Sequence, residues 1–319
     1  MENTLNHHRY LLVLDENIIT NNEISYLRDH FFGKTIFSNN FDIKRCSNTM
    51  VVYLCGDIKN MLDRFEFNSL PNLFVIDRFS TNIPSECKTV DPGEVPINVF
   101  NVGVHFRRIF PFNFNKNYYS AITSEHEFQD LGISGKPGKA YRKGIYLTDV
   151  VQSGDDIRFK LLRCSTNLGG PTDNFRQTDR EILTKLNELC GNLFSDKVEL
   201  NHVLAQTYFN AAIDDKERKA KIAEHSDKTK DMPRNAIMAF CSFYEGYIDD
   251  GFSSINLNRV RKSDSDVYDF CYNDTSVLTT LRFRLKDAVT DPKLKKEFDV
   301  ILYPNSAFVM SLTKVFDFS

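Results

Sequence analysis

The chain has 319 residues, 41% of them apolar and 26% charged, with only 14 glycines and 10 prolines, a balance that supports a full hydrophobic core and excludes a disordered or fibrous chain. A formal charge of −3 provides no global basic field for a polyanion, so charge neither supports nor excludes a nucleic-acid partner. The cysteines Cys46, Cys55, Cys87, Cys164, Cys190, Cys241 and Cys271 are odd in number, widely spaced and without a C-x-x-C pair. That usage predicts reduced, buried thiols in a cytoplasmic or other reducing intracellular compartment, and argues against a disulfide framework or a zinc cluster. The first residues carry acid and lack an apolar core, so they do not read as a signal peptide. No apolar run has membrane-spanning length, and no membrane partner is expected.

In chain order, the first part alternates short apolar runs with helix-like segments, the rhythm of a small α/β domain over residues 1–96. Tyr10 to Leu14, Met50 to Cys55 and Leu73 to Ile76 read as strands, and Asn21 to Phe32 and Asp57 to Phe65 as helices. No glycine-rich phosphate loop accompanies them, so the likeness to a nucleotide-binding fold stops at the rhythm. The segment Pro84 to Pro96, with two prolines, a glycine and mixed charge, marks the boundary.

From residue 97 onward strand character dominates, with runs at Ile97 to Phe110, Lys143 to Leu147, Asp156 to Leu162, Val203 to Phe209, Ile237 to Tyr244, Val277 to Leu285, Phe298 to Leu302 and Ala307 to Leu312. One helix interrupts them. Thr178 and Glu181 have the spacing of a capping box, and Ile182, Leu183, Leu186, Leu189 and Cys190 follow at helical spacing on one face, which should lie against a sheet. Asp249 to Asp274 is polar and reads as a long loop or insertion.

Candidate chemistry centres on His225-Ser226-Asp227. In an extended segment, residues two apart point the same way, so an imidazole and a carboxylate reach one metal ion together. They would supply two-thirds of a 2-His-1-carboxylate iron site. Taken alone the pair is a weak signal, equally explained by a hydrogen-bonded loop. Its placement between strands strengthens it, because ligands gain precision from a rigid sheet.

Four segments then occur in a telling order: Asn201 to Tyr208, His225-Ser226-Asp227, Leu281-Arg282-Phe283-Arg284-Leu285, and Leu302 to Met310. The series resembles the 2-oxoglutarate- and Fe(II)-dependent oxygenases, most closely their AlkB-like branch, over about residues 160 to 313. The resemblance implies a double-stranded β-helix, or jelly-roll, domain over residues 97–319 preceded by the small α/β domain. It further implies Fe(II) bound by His225 and Asp227, and 2-oxoglutarate as cosubstrate held by Tyr208 and Gln206. Arg282, and Asn167 in the glycine-rich turn 167–174, would contact substrate or brace a loop. No catalytic residue beyond the metal ligands is implied. The reaction would be oxidative hydroxylation or demethylation, with succinate and carbon dioxide as by-products. An alkylated nucleic acid, a peptide side chain and a small molecule are equally open as substrates.

The sequence departs from the family in one respect. After Met310 the family's pattern continues to a second histidine ligand and a cosubstrate-binding arginine, whereas here Ser311 to Ser319 hold neither, and no histidine follows His225. The expectation is that the last strands of the jelly roll are missing. His202 is the best substitute ligand by sequence, although its motif position suggests a core role, and His105 and His126 have no motif support. A catalytically dead oxygenase-fold module, used for binding or structure, is therefore the rival reading, with an unrelated β-rich binding protein behind it.

Overall fold

A computed structural model describes residues 10–18, 20–41, 49–62, 72–110, 116–132, 139–159, 172–194, 199–209, 211–213, 216–218, 220, 222, 224–225, 236–245, 247–248, 251–252, 260–261, 270–272, 275–276, 278–292 and 296–311. The chain forms two compact units, one of residues 1–117 with 237–319 and one of residues 118–236. Strand exceeds helix and is divided among several sheets, so the fold is mainly β with accompanying helices. Among the described residues no helix is long and apolar enough to cross a membrane.

The first unit begins with β1 (Tyr10–Leu14), α1 (Asn22–His30), β2 (Lys34–Phe37), β3 (Val51–Cys55), α2 (Ile58–Leu62), β4 (Leu73–Ile76) and β5 (Lys88–Val90). The strands form one parallel sheet in the order β2-β1-β3-β4-β5. Parallel strands bury both faces, which is why β3 is an unbroken apolar run with all five residues buried. Its core joins Val13, Val52, Leu54 and Val75 to Ile58 and Met61 of α2. The Asn21 side chain starts α1 by accepting from the N–H groups of Glu23 and Ile24.

In such sheets the crevice used by ligands lies beyond the carboxyl ends of the strands where the order reverses, here between β1 and β3. Asp15 follows β1, and Gly56-Asp57 follow β3. The Asp15 carboxylate accepts from the backbone of Asn17 at 3.1 Å and of Asp57 at 3.3 Å. Asp57 in turn accepts from Asn60 and Asn82. Gly56 has φ +131° and a Cβ there would lie 2.2 Å from the Cβ of Asp15, so only glycine fits. These carboxylates serve the chain's own turns.

β6 (Ile97–Val99) and β7 (Gly103–Phe106) follow as an antiparallel hairpin. The single strand expected over 97–110 is thus broken at Phe100 to Val102. The Asn98 side chain accepts from the Asn101 N–H three residues on, a local bond that competes with extended backbone, and Phe100 and Asn101 take positive φ.

The second unit contains α3 (Tyr118–Glu125), β8 (Gln129–Gly132), β9 (Lys139–Thr148), β10 (Val150–Ser153), β11 (Asp156–Phe159), β12 (Asp173–Asn174), α4 (Gln177–Leu193), β13 (His202–Tyr208), β14 (Ala211–Ile213) and β15 (Lys216–Arg218). The long β9 is central, with β13 antiparallel to it and with β8 and the parallel β12 also paired to it. The predicted face of α4 is the buried one. Leu183 packs with Ile145, Leu147, Phe175, Val203 and Ala205. The capping box is shifted from its expected position: Arg176 is the N-cap, and Asp179, three residues on, accepts from its N–H at 2.7 Å. Thr178 and Glu181 instead bond to α3, through Glu125 and Tyr118.

The chain then returns to the first unit through β16 (Ile237–Ser242), β17 (Tyr247–Ile248), β18 (Gly251–Phe252), β19 (Val260–Arg261), β20 (Phe270–Tyr272), β21 (Thr275–Ser276), β22 (Thr279–Arg284), β23 (Glu297–Leu302) and β24 (Ser306–Ser311). The expected loop over 249–274 therefore carries short strands. β16-β24-β7-β6 make an antiparallel sheet, so strands distant in sequence become neighbours. The β22-β23 ribbon packs on it through Phe283, Phe298, Val300 and Phe308, with the Phe283 and Phe298 rings stacked 5.1 Å apart.

Candidate functional site

Strand alternation divides the β9-β13 pair into two unlike faces. Ile145, Leu147, Val203 and Ala205 belong to the α4 core. The other face carries Arg142 opposite Tyr208, Gly144 opposite Gln206, Tyr146 opposite Leu204, and Thr148 opposite His202. Polar and aromatic groups collect there because each is one residue out of phase with the core set.

Two residues singled out by sequence meet on this face. The Tyr208 hydroxyl donates to Oε1 of Gln206 at 2.5 Å. The Gln206 amide oxygen is thereby engaged, which leaves its NH₂ as a donor. Burial raises the Tyr208 pKa, while the charge and hydrogen bond of Arg142 pull the other way without cancelling the rise. The phenol stays protonated at neutral pH. Gly144 lies opposite Gln206, and a Cβ there would press on Leu131 Cδ1 at 3.1 Å while meeting Gln206 Cγ at an ordinary 3.5 Å. The Gln206 NH₂ and the Arg142 guanidinium side by side suit a carboxylate ligand, with the Tyr208 hydroxyl fixing which way the amide faces. Sequence reasoning missed Arg142 and Gly144, whose roles arise only from the register of β9 on β13.

At the far end of the same face, the His202 ring stacks on Tyr146 with centroids 5.4 Å apart. Both its ring nitrogens are buried without a hydrogen-bond partner, and burial lowers its pKa. It is a half-buried ring that burial keeps neutral. His225 is exposed, whereas Asp227 and Asn167 lie outside the described residues. Arg282 belongs to the other unit, where Asp299, its cross-strand partner on β23, accepts from it at 2.8 and 2.9 Å. Glu297 lies 3.3 Å from the same guanidinium, and these carboxylates raise the Arg282 pKa. Arg282 therefore braces the β22-β23 ribbon.

Two further histidines are buried. His105 stacks on Tyr303 at 5.5 Å, and burial, with the charge of Arg107 adding to it, pushes its pKa down to about 3. His126, with its side chain fully buried, lies between two carboxylates, Nδ1 at 2.9 Å from Asp173 and Nε2 at 2.7 Å from Asp179. Burial would raise the Asp173 pKa, but the bonds from His126 and the Asn174 N–H and the charge of Arg176 outweigh it, and the net shift is downward.

Ligand atoms of Glu125, His126 and Asp179 lie within 4.8 Å of one another, the spacing of a cation site. Each is already engaged. Glu125 accepts from the N–H and hydroxyl of Thr178, and Asp179 accepts from Arg176 and contacts His126. An ion would have to displace these bonds, so the cluster reads as a latch between α3, β12 and the start of α4. His126 lies 47 residues before Asp173 and 53 before Asp179, and no local spacing announces the cluster.

Compared with protein-family models and with curated protein sequences, the chain matches none.

Proposed function

We propose that the chain is a 2-oxoglutarate- and Fe(II)-dependent oxygenase-type protein, AlkB-like in kind, with a jelly roll over residues 97–319 preceded by the small α/β domain. The observation that carries this reading is the Gln206-Tyr208 pair beside Arg142, preceding His225-Ser226-Asp227 in the family's order. The donor set fits a 2-oxo acid: Gln206 would donate its NH₂ to a carboxylate and Arg142 would neutralise the charge, with Tyr208 holding the Gln206 amide through the bond its hydroxyl gives to Oε1. His225 and Asp227 offer an imidazole and a carboxylate, a pair that suits Fe(II). Bound together, the metal and cosubstrate would supply oxygen activation for hydroxylation or demethylation of an alkylated base, a peptide side chain or a small molecule. A reducing intracellular compartment suits the free thiols of Cys55, Cys87, Cys190 and Cys241.

The test separates binding from turnover. Equilibrium dialysis with labelled 2-oxoglutarate and Fe(II), under anaerobic conditions, should show metal-dependent binding, weakened about 10- to 100-fold by Arg142→Gln, the loss expected for a charge-assisted bond. Admission of oxygen should then yield succinate, abolished in His225→Ala and Asp227→Ala. Metal-dependent binding without succinate would favour the non-catalytic module. Absence of both sinks the oxygenase reading.

A further inference from the structure

Among the described residues, the outer edge of the β10-β11 ribbon pairs with no other strand. The ribbon is a two-stranded sheet closed by Gly154-Asp155, with Gly154 at φ +64° in the first turn position, as a type II′ hairpin turn requires. Its apolar residues are largely exposed: Val151 56%, Ile157 64% and Phe159 52%, and every residue of β11 is open to solvent. Val150, Gln152, Ile157 and Phe159 share one face of the ribbon, and Val151 and Arg158 the other. Natural edge strands are commonly guarded by lysine, proline or a bulge. Asp156 to Phe159 contain no lysine, proline or bulge, and the two charges they carry, on Asp156 and Arg158, are opposite in sign.

Hydrogen-bond phase fixes what that edge offers. A two-residue turn makes Ser153 and Asp156 a bonded pair, so bonding alternates away from it. Val151-Arg158 is then bonded, while Gln152-Ile157 and Val150-Phe159 are not. The N–H and C=O groups of Ile157 and Phe159 therefore point outward from β11.

We infer that this edge pairs with the same edge of a second copy of the chain, antiparallel about a twofold axis through Ile157, making one four-stranded sheet. The sequence Asp156-Ile157-Arg158 is self-complementary in that register. Ile157 meets Ile157 with main-chain bonds in both directions, and Asp156 of each copy opposes Arg158 of the other, a cross-strand ion pair made twice. Shifting the axis to Arg158 would oppose Arg158 to Arg158, two like charges. In the Ile157 register the two apolar faces, each with Val150, Ile157 and Phe159, run together into one stripe.

A charge swap tests this in the full chain. Sedimentation equilibrium over a concentration series should show the average mass rising from the monomer value toward twice that value. Asp156→Arg and Arg158→Asp should each hold the protein monomeric, because each sets like charges opposite one another at both ion pairs. The double variant D156R/R158D restores the complement and should dimerise again, an outcome that misfolding cannot imitate. Ile157→Pro removes the central N–H and should also give monomer. A wild-type monomer at every concentration, open-ended aggregation, or a dimer indifferent to the single swaps would overturn the inference.

Discussion

At the scale of single residues, buried ionisable groups set how the protein responds to pH. His105 has its pKa lowered from 6.5 to about 3 by burial, with Arg107 adding to the effect. The unfolded chain binds a proton between those values that the folded chain refuses, so stability falls as pH drops from about 6.5 to about 3. The slope from this residue is at most about 1.4 kcal/mol per pH unit. His105→Phe keeps an aromatic ring between Tyr303 and Phe308 and removes the proton. Urea midpoints measured across this range should be flatter in the variant, and equal slopes would show that His105 is not buried neutral. The resemblance to the oxygenases singled out Gln206 and Tyr208, but nothing in the sequence pointed to Arg142, since a basic residue on a strand is most simply a solvated one.

At the scale of elements, α4 shows how local pattern and distant partners divide the work. Its apolar face was legible in the positions of Ile182, Leu183, Leu186, Leu189 and Cys190. Its beginning was not, because Thr178 and Glu181 found partners in Glu125 and Tyr118, and Asp179 took over the cap. His126 links that cap to β12 through Asp179 and Asp173. His126→Ala leaves the two carboxylates without the ring that faces both, and the expected loss is about 2 to 4 kcal/mol, read by denaturant unfolding. A loss below about 0.5 kcal/mol, the range of surface substitutions, would show that the latch is not structural.

On the scale of the whole molecule, sheet composition governs which parts open first. β3 is central and buried throughout, and its amides should exchange with solvent only through global unfolding. The outward amides of Ile157 and Phe159 should exchange rapidly in dilute protein and slow as concentration rises toward pairing. Hydrogen–deuterium exchange followed at two concentrations checks both expectations. Unchanged exchange at Ile157 under conditions of demonstrated dimerisation would place the dimer contact elsewhere.

By itself, the sequence determined the strands β1, β3 and β4, the buried face of α4 and the mainly β character beyond them, because period and apolar runs are local properties written in neighbouring residues. It also carried the ordered series from Gln206 to Arg282 on which the functional proposal rests. Tertiary structure alone decided that β24 lies between β16 and β7, that Arg142 faces Tyr208, and that Asp299 and Glu297 engage Arg282. Pairing register and hydrogen-bond partners are settled by the fit of segments far apart in the chain, and no local spacing encodes that fit.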